Sequence, residues 1–580
     1  MSAEAAGAAD APLPPPPAAA AALPPIPPSR SVSSFASEAE LQEDVALYAD
    51  LPLGSASSLV LQNGGGDTPE GAALTAGRRR YLCYFRHRYL EFRLPEVEAL
   101  ADAARRRLAS KQRRGAAAGG SSSDDGSGGN GSGEASSGTA EVPSGPAVVW
   151  EKPFGNRPES PFWYAHLDGD EVAKEVATKM MLPKVLLEVW GESDSLEGLR
   201  ELLAAYPQEQ KDKWGGLDQS FKFIVEAWGH SYTMREQVAL IESMEPCCRF
   251  QGPIDLKHPQ NRFWLIIVRN EVRSLPLLPD RYYFGREVGA ADRSPLNTYD
   301  LRRRRYLGPT SMDTEMAFLM CNMAQVGRGS LVMDPFVGTG SCLVPAAHLG
   351  AYTIGTDIDV RVIKLGKKDK AGRPVNVWTN FQDYQLQPPV GLLRCDLHTH
   401  PFRDDLEEVL HAIVCDPPYG VRAGGRKSVP KDREIRSRED YIPSTDPYSA
   451  AECMHDLLET AARLLVVGGR LVYFLAAAPG FYSEEEVPQH PMLEVVYNCE
   501  QHLTTRYTRR LITMQKVKRY DAAEAQAFYE ARGPPKLAID DMHDYIYKSP
   551  AQLAAEAGMS VEEYREQQGL RIPRNRGKNI

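Results

Sequence analysis

The fold is decided by the stretch Leu331-Val-Met-Asp-Pro-Phe-Val-Gly-Thr-Gly-Ser341. Its apolar residues run up to Asp334, Gly338 and Gly340 follow, and Ser341 can begin a helix. Glycines allow a tight turn and let the backbone approach a ligand closely, while the start of a helix offers free N–H groups. The stretch therefore predicts a buried strand, a glycine-rich turn and a helix that together bind a small ligand.

A second stretch with a similar layout follows further along the chain. The apolar residues Ile413-Val-Cys415 lead into Asp416-Pro-Pro-Tyr-Gly420. A nitrogen on an aromatic base is a weak nucleophile because its lone pair is delocalised into the ring. The carboxylate of Asp416 and the carbonyl of Pro417 are suited to accept hydrogen bonds from such an amine, which stabilises the charge that develops on nitrogen. With Tyr419 as an aromatic surface for the base, the motif predicts methyl transfer to a planar nitrogen.

The region around these two motifs alternates strands and helices, which predicts a parallel α/β sheet. Ligands bind outside the carboxyl ends of the strands in such sheets, so the residues that follow each strand predict one binding site. Asp357, after the second strand, is suited to accept from both ribose hydroxyls of S-adenosylmethionine, and Asp396, after a later strand, from its adenine amino group. The predicted cofactor-binding residues are therefore Asp334, Phe336, Gly338, Gly340, Asp357 and Asp396.

Each motif taken alone also fits a plainer role. A glycine pair occurs in any tight turn, an aspartate often caps a helix or lies at the surface, and prolines stiffen a loop. Their order along the chain and their positions at successive strand ends favour one shared site.

Hydrophobic patterning also predicts the secondary structure of this region. We predict strands at residues 331–333, 352–356, 375–378, 392–394, 412–415 and 470–475, and helices at 341–349, 360–368 and 450–465. Residues 493–499 and 511–516 predict late, antiparallel strands. Earlier in the chain, Thr233 is predicted to cap a helix.

The charge of the chain limits how it can meet nucleic acid. It has 580 residues, too many for one hydrophobic core, and a formal net charge of −10. That charge argues against a uniformly basic nucleic-acid-binding protein but allows local basic surfaces. Two basic runs are predicted to contact phosphates, although each also fits a solvated surface. Their residues are Arg302, Arg303 and Arg304 before the glycine loop, and Arg422, Arg426 and Lys427 after the Asp-Pro-Pro-Tyr motif.

The cysteines and the N-terminus indicate the compartment. The nine cysteines are dispersed and form no Cys-x-x-Cys pair, which predicts buried, reduced thiols and no metal site. No apolar run is long enough to span a bilayer, and acidic residues precede any basic residue, unlike a signal or transit peptide. These features predict a cytosolic or nuclear protein with no membrane contact, and of the two locations we choose the cytoplasm.

Five stretches together resemble the catalytic subunit of the eukaryotic tRNA (guanine(10)-N2)-methyltransferases, a family of THUMP-domain class I methyltransferases. They are Tyr81-Leu-Cys-Tyr-Phe-Arg-His-Arg-Tyr-Leu-Glu-Phe-Arg-Leu-Pro-Glu-Val-Glu98, Asp334-Pro-Phe-Val-Gly-Thr-Gly-Ser341, Gly355-Thr-Asp-Ile-Asp359, Asp416-Pro-Pro-Tyr-Gly-Val-Arg422 and Arg510-Leu-Ile-Thr-Met514. The Asp-Pro-Pro-Tyr motif is shared with DNA adenine and protein glutamine methyltransferases, whereas the first stretch is specific to the family.

The resemblance implies α+β ferredoxin-like and THUMP RNA-binding domains followed by an α/β Rossmann-like methyltransferase domain. With the composition of the chain it predicts five parts. They are a disordered tail at 1–78, a ferredoxin-like domain at 79–165 with a disordered insertion at 111–146, a THUMP domain at 166–295, a methyltransferase domain at 296–518, and a helical and basic C-terminal extension at 519–580.

The resemblance also implies the reaction and the partners. A methyl group would pass from S-adenosyl-L-methionine to the N2 amine of guanosine at tRNA position 10, and a small zinc-binding activator subunit would form a heterodimer with the chain. Two alternatives stay open: an adenine-N6 methyltransferase acting on another RNA or on DNA, and a tRNA-binding scaffold without catalytic activity.

Overall fold

The computed structural model describes residues 75–119, 145–152, 157, 159–269, 278–418, 425–428, 445–477, 482–504, 507–533, 550–561 and 563–564. The tail predicted at 1–78 lies outside these residues except for its last four positions. The insertion predicted at 111–146 lies outside them from residue 120 to residue 144, and so does the end of the chain from residue 565. No helix in the described ranges is long and apolar enough to cross a membrane.

The first part of the chain follows a strand–helix–strand–strand–helix–strand order. Its elements are β1 (Arg79–Phe85), α1 (Arg93–Gly119), β2 (Val149–Glu151), β3 (Phe162–Leu167), α2 (Asp170–Ala177) and β4 (Pro183–Ser193). The strands pair antiparallel in the order β2-β3-β1-β4, which is the ferredoxin-like arrangement. Because this arrangement is complete only at β4, we propose to move the boundary predicted at residue 165 to the end of β4. Helix α1 continues to Gly119, into the segment predicted to be disordered, since its alanines favour helix.

The next elements extend the same sheet. They are α3 (Leu196–Ala205), α4 (Gln208–Gly215), β5 (Phe221–Trp228), α5 (Met234–Cys248), β6 (Asn261–Val268) and β7 (Arg281–Ala290). β7 pairs antiparallel with both β4 and β6, and β5 runs parallel to β6, so one sheet has the order β2-β3-β1-β4-β7-β6-β5. The predicted cap at Thr233 is confirmed, because its side chain and that of Glu236 each bond the other's backbone N–H.

A second seven-stranded sheet forms the Rossmann-like domain. Its region comprises α6 (Ser294–Thr298), α7 (Thr314–Met323), β8 (Leu331–Asp334), α8 (Leu343–His348), β9 (Tyr352–Asp357), a π-helical turn (Arg361–Leu365), β10 (Lys367–Lys368), β11 (Pro374–Val375), α9 (Val377–Asp383), β12 (Gly391–Arg394), β13 (Leu410–Cys415), β14 (Gly425–Ser428), β15 (Thr445–Tyr448), α10 (Ala450–Leu464), β16 (Leu465–Ala477), β17 (Leu493–His502) and β18 (Thr508–Lys516). Helices α11 (Ala522–Arg532) and α12 (Pro550–Glu556) follow.

The strand order of this sheet is β12-β9-β8-β13-β16-β18-β17. The first five strands are parallel, β18 runs antiparallel to β16, and β17 pairs antiparallel with β18. The two late strands predicted at residues 493–499 and 511–516 are therefore present and antiparallel to each other. From β8 the chain builds outward to β9 and β12 on one side, and to β13 and β16 on the other. The strand order therefore reverses between β8 and β13, which is where an open α/β sheet leaves a crevice for a ligand.

One predicted strand is wrong. Residues 375–378 form the end of the short β10–β11 hairpin and the start of α9. Asn376 caps this helix, and the side chains of Asn376 and Thr379 each bond the other's backbone N–H. The β-branched and aromatic residues that indicate a strand are here outweighed by a helix-starting motif.

A buried carboxylate joins the first helix to α7, which belongs to the region of the second sheet. Glu96 of α1 accepts hydrogen bonds from the backbone N–H of Met181 at 2.7 Å and of Leu182 at 3.0 Å, and from Nδ2 of Asn322 at 2.8 Å. The apolar side chains of α1 and α7 belong to one hydrophobic core. The elements of the first sheet and those of the second sheet therefore share packed contacts within one compact unit.

Candidate active site

A cavity of about 580 Å³ lies at the carboxyl ends of β8, β9 and β13. Its volume is in the range of small-molecule and cofactor sites. The glycine loop after β8, residues 357–359 after β9 and residues 416–418 after β13 all line it. The structure thus brings the two motifs that stand far apart in the sequence to one site.

The glycine loop needs both of its glycines. Gly338 and Gly340 have φ angles of +49° and +82°, in the left-handed region that residues with a Cβ rarely adopt. A Cβ on Gly340 would also lie 3.0 Å from Cγ1 of Val377, whereas one on Gly338 would find almost open space. The first glycine therefore leaves room on the cavity side, and the second allows α9 to pack closely beneath the loop.

Two carboxylates fix this loop from below. Asp357 accepts hydrogen bonds from the backbone N–H of Gly338 at 3.0 Å and of Asp359 at 2.9 Å, and burial raises its pKa. Asp334 accepts from the N–H of Phe336 at 3.0 Å. Burial raises the pKa of Asp334 to about 8, and the nearby charges of Asp357 and Asp416 add to that effect. Negative charge on these carboxyl groups is therefore costly in the cavity, and a cationic ligand would stabilise their ionised forms.

These residues fit S-adenosylmethionine. The cofactor carries a sulfonium and an ammonium cation, which suit a site lined by Asp334, Asp357 and Asp416. Gly338 leaves space where a side chain would stand, and Phe336 lines the cavity beside it. Among the residues that the structure describes, no three His, Cys, Asp or Glu side chains are grouped so that they could hold a metal ion.

The proposed catalytic loop enters the same cavity. Asp416, Pro417 and Pro418 line it. Oδ2 of Asp416 accepts a hydrogen bond from Nη1 of Arg509 at 3.3 Å. Tyr419 lies outside the described residues. An acceptor carboxylate and a proline carbonyl therefore lie next to the predicted cofactor loop.

Asp396 has a different position from the one its predicted role requires. Of the described residues, its neighbours Cys395 and Leu397 line the cavity and Asp396 does not. Its carboxylate accepts from the backbone N–H of Ser428 at 2.6 Å and from that of His398 at 3.1 Å. Asp396 therefore ties the β14–β15 hairpin to the end of β12, which leaves its predicted contact with adenine without support from the geometry.

The basic run before the glycine loop contains two exposed arginines and one buried arginine. Arg302 is exposed and pairs with Asp300, and Arg303 is also exposed. Arg304 is only 6% exposed, and its Nη1 donates to Oγ of Ser341 at 3.3 Å. The RNA contact predicted for Arg304 is therefore corrected: the side chain points inward and supports the start of the helix after the glycine loop.

Two residues of the second basic run, Arg426 and Lys427, lie on β14. Arg426 lines the cavity, and Lys427 is paired with Glu452 at 2.9 Å. Arg422 lies outside the described residues. The contacts of this run with RNA stay a prediction.

Sequence reasoning missed two parts of the cavity wall. Residues 308–313, which precede α7, line the cavity, and Oγ of Ser311 lies 2.9 Å from Oγ1 of Thr339 in the glycine loop. The turn residues Gly308 and Pro309 were the available indication of a loop there. Arg509 of β18 also lines the cavity, and nothing near it in the sequence indicates its partner.

Two known protein families match the chain. Residues 154–293 match the family described as Tmrp11 THUMP N-terminal domain. Residues 302–432 match the family described as RMKL-like, methyltransferase domain. Among solved structures, TrmN from Thermus thermophilus aligns with a TM-score of 0.29 and 18% identity, over 62% of this chain and 90% of that chain.

Full-length relatives are more informative than the separate domains. The tRNA (guanine(10)-N(2))-methyltransferase TRMT11 of Mus musculus is 32% identical over 462 residues, which cover 77% of this chain and 90% of that protein. The protein of the same name from Dictyostelium discoideum is 35% identical over 386 residues, which cover 63% of this chain and 74% of that protein. This chain belongs to the tRNA (guanine(10)-N(2))-methyltransferase family. Membership of this family confirms the resemblance and the predicted fold class, in which an RNA-binding THUMP region precedes a Rossmann-like methyltransferase domain.

Proposed function

We propose that this chain is the catalytic subunit that transfers a methyl group from S-adenosyl-L-methionine to the N2 amine of guanosine at tRNA position 10. The observation that carries the proposal is the shared cavity, in which Asp416 and Pro417 lie beside the glycine loop of a methyltransferase domain. The names of the full-length relatives support this reaction over adenine methylation and over a scaffold without activity.

S-adenosyl-L-methionine is the methyl donor, and it supplies an electrophilic methyl group on a sulfonium. The chain's own residues would bind and orient it. The backbone at Gly338 is open toward the cavity, and Asp357, which holds the loop and lines the cavity, would accept the ribose hydroxyls. Phe336 and Asp334 complete this side of the cavity.

At the target base, Asp416 and Pro417 act as hydrogen-bond acceptors. Both N–H bonds of the guanine amine would then be directed to protein oxygens, which turns the nitrogen lone pair toward the methyl donor and stabilises the developing positive charge. A guanosine within a stem must leave the base stack to reach such a cavity. Tyr419 follows directly in the chain, and we propose that it stacks on the extruded base.

The tRNA itself would be held by the THUMP region and by basic side chains around the cavity. Arg302, Arg303, Arg422, Arg426 and Lys427 remain the proposed phosphate contacts. A small zinc-binding activator subunit remains a proposal that rests on the family resemblance. A cytoplasmic location is proposed as well, because all nine cysteines are free and buried, which suits a reducing compartment.

The decisive experiment measures transfer of labelled methyl groups to unmodified tRNA, with and without the activator, followed by nucleoside mass spectrometry. We expect N2-methylguanosine. A matched tRNA in which position 10 is adenosine, with its pairing partner changed to suit, should not be methylated. Methyl on adenosine would support the adenine alternative. Absence of any product from a folded heterodimer that fails to bind the cofactor would support the scaffold.

A further inference from the structure

The guanidinium of Arg509 is held by four different elements at the wall of the cavity. Its Nε donates to Oε1 of Gln501 on β17 at 2.6 Å, and its Nη1 donates to Oδ2 of Asp416 at the end of β13 at 3.3 Å. Its Nη2 donates to Sδ of Met312, before α7, at 3.5 Å. The guanidinium carbon lies 3.7 Å from the ring centre of Phe474 on β16.

This arrangement leaves Arg509 little freedom. The residue is 9% exposed, and a planar guanidinium that is bonded along its edges and stacked on a ring has one orientation. The backbone of β18 is paired on both sides, with Ala476 and Gln501 opposite Arg509. A carboxylate that accepts a hydrogen bond from this guanidinium is therefore held in a defined position.

The residue it holds is the predicted acceptor of the target amine. Asp416 stands close enough to Asp334 for its charge to raise the pKa of that carboxyl group, so the two acids disfavour each other's ionisation. Asp416 must be ionised to accept a hydrogen bond at each oxygen. A fixed cation on one of its oxygens favours that state and sets the plane of the carboxylate.

We infer that Arg509 is a positioning residue, which orients Asp416 and keeps it ionised so that it can accept the target amine. The inference deepens the proposed function and rests on it. Arg509 makes no contact with the reacting atoms in this account, since it acts only through the carboxylate.

The titratable groups near Asp416, among the described residues, determine which ionisations a pH profile of activity can detect. Asp334 lies at the end of β8, Cys342 follows the glycine loop, Cys415 precedes Asp416 in β13, and Arg509 faces it from β18. Burial raises the pKa of both thiols well above the ordinary value, so Cys342 and Cys415 stay neutral at any pH suitable for the assay. Loss of activity toward acid pH then reports on the carboxylates.

The next residue in the chain offers a matched control. Arg510 is equally buried, at 7% exposed, and is bonded to Asn498 and Glu500 at 2.9 and 3.0 Å. Successive residues of a strand point to opposite faces of the sheet, and Arg510 does not line the cavity. Arg509→Gln and Arg510→Gln therefore each remove a buried guanidinium that is paired with a carboxylate. The first pair lies beside the catalytic loop, and the second lies away from it.

The experiment compares kcat, the KM for tRNA and the Kd for S-adenosylmethionine of both variants, of Arg509→Lys, and of the unmodified enzyme. For Arg509→Gln we expect kcat to fall about 10- to 100-fold, the range seen when the partner that orients a functional group is removed. Its activity should also be lost about 1 to 3 pH units higher as the pH is lowered, because a carboxylate without its cation binds a proton more readily. KM and Kd should change less than about threefold, and Arg509→Lys should recover part of both effects.

A loss of kcat in Arg510→Gln as large as in Arg509→Gln, or an unchanged acid limit of activity in Arg509→Gln, would overturn the inference while leaving the proposed function intact. A second measurement does not depend on turnover. In a double-mutant cycle with Asp416→Asn, the loss of Arg509 should lower the unfolding temperature more when Asp416 is present than when it is not. Equal shifts would refute the ion pair, even if no methylated nucleoside were ever detected.

Discussion

The buried carboxylate of Glu96 predicts an unusual dependence of stability on pH. Burial raises the pKa of Glu96 from 4.5 to about 7, against the opposing effect of hydrogen bonds from Leu182, Met181 and Asn322. Because its folded-state pKa is raised, its contribution to stability is fully present below pH 4.5 and is lost as the pH rises toward 7. We therefore choose Glu96→Gln, which cannot titrate, as the perturbation.

The structure gives the magnitude. A rise in pKa from 4.5 to about 7 corresponds to about 3 kcal/mol, most of which falls between pH 5 and pH 8. The glutamine keeps one acceptor oxygen but turns an amide NH₂ toward a backbone N–H, which costs about 1–3 kcal/mol at every pH. The variant should therefore be less stable than the unmodified chain at pH 5, and equally stable or more stable at pH 8.

Urea unfolding at the two pH values measures this difference. Trp150 and Trp163 lie in the core that α1 completes, so their fluorescence reports its unfolding. Glu171→Gln on α2 is the control, because its side chain is 76% exposed and should show no pH-dependent difference. The reasoning is refuted if the stability of Glu96→Gln relative to the unmodified chain is the same at pH 5 and pH 8.

Three further predictions concern the cavity. Gly340→Ala places a Cβ on a left-handed backbone, 3.0 Å from Cγ1 of Val377, which costs about 1–2 kcal/mol of strain. We expect the Kd for S-adenosylmethionine, measured by calorimetry, to rise about tenfold, and an unchanged Kd would contradict this. Asp396→Asn should weaken the hydrogen bond from Ser428 and speed proteolysis of the β14–β15 hairpin, while the Kd for the cofactor changes less than about threefold. A loss of cofactor affinity of about tenfold or more would support the predicted contact of Asp396 with adenine. Asp416→Ala should abolish turnover and spare cofactor binding in the same titration, whereas lost affinity with normal turnover at saturation would disprove its role at the amine.

Much of the fold was predictable because it rests on local patterns. Apolar runs that end in Asp334 and Cys415 indicated two neighbouring strand ends, and the glycines indicated the turn after the first. The prediction at residues 375–378 was wrong where two local preferences competed. Val377 and Trp378 favour a strand, but Asn376 starts a helix that then packs beneath the glycine loop.

The roles of single charged side chains were less predictable, since burial decides them. Arg302 and Arg304 stand two positions apart in one arginine run, yet the first is exposed and the second supports Ser341 from within. Asp396 ends a strand as Asp357 does, but only Asp357 turns toward the cavity. The two members of each pair have the same residue type and a similar sequence setting, and the surrounding packing gives them different roles.

The sequence by itself determined the chemistry that is available. It encodes a glycine loop for a cofactor, Asp416 and Pro417 for an amine, and a parallel sheet whose carboxyl strand ends bring them to one edge. These features depend on residues close together in the chain and on the topology of parallel sheets. The tertiary structure alone decided that Arg509, from a strand at the end of the domain, is bonded to Asp416, and that Glu96 joins α1 to Asn322. Such pairs depend on how distant elements pack, and no local pattern encodes that packing.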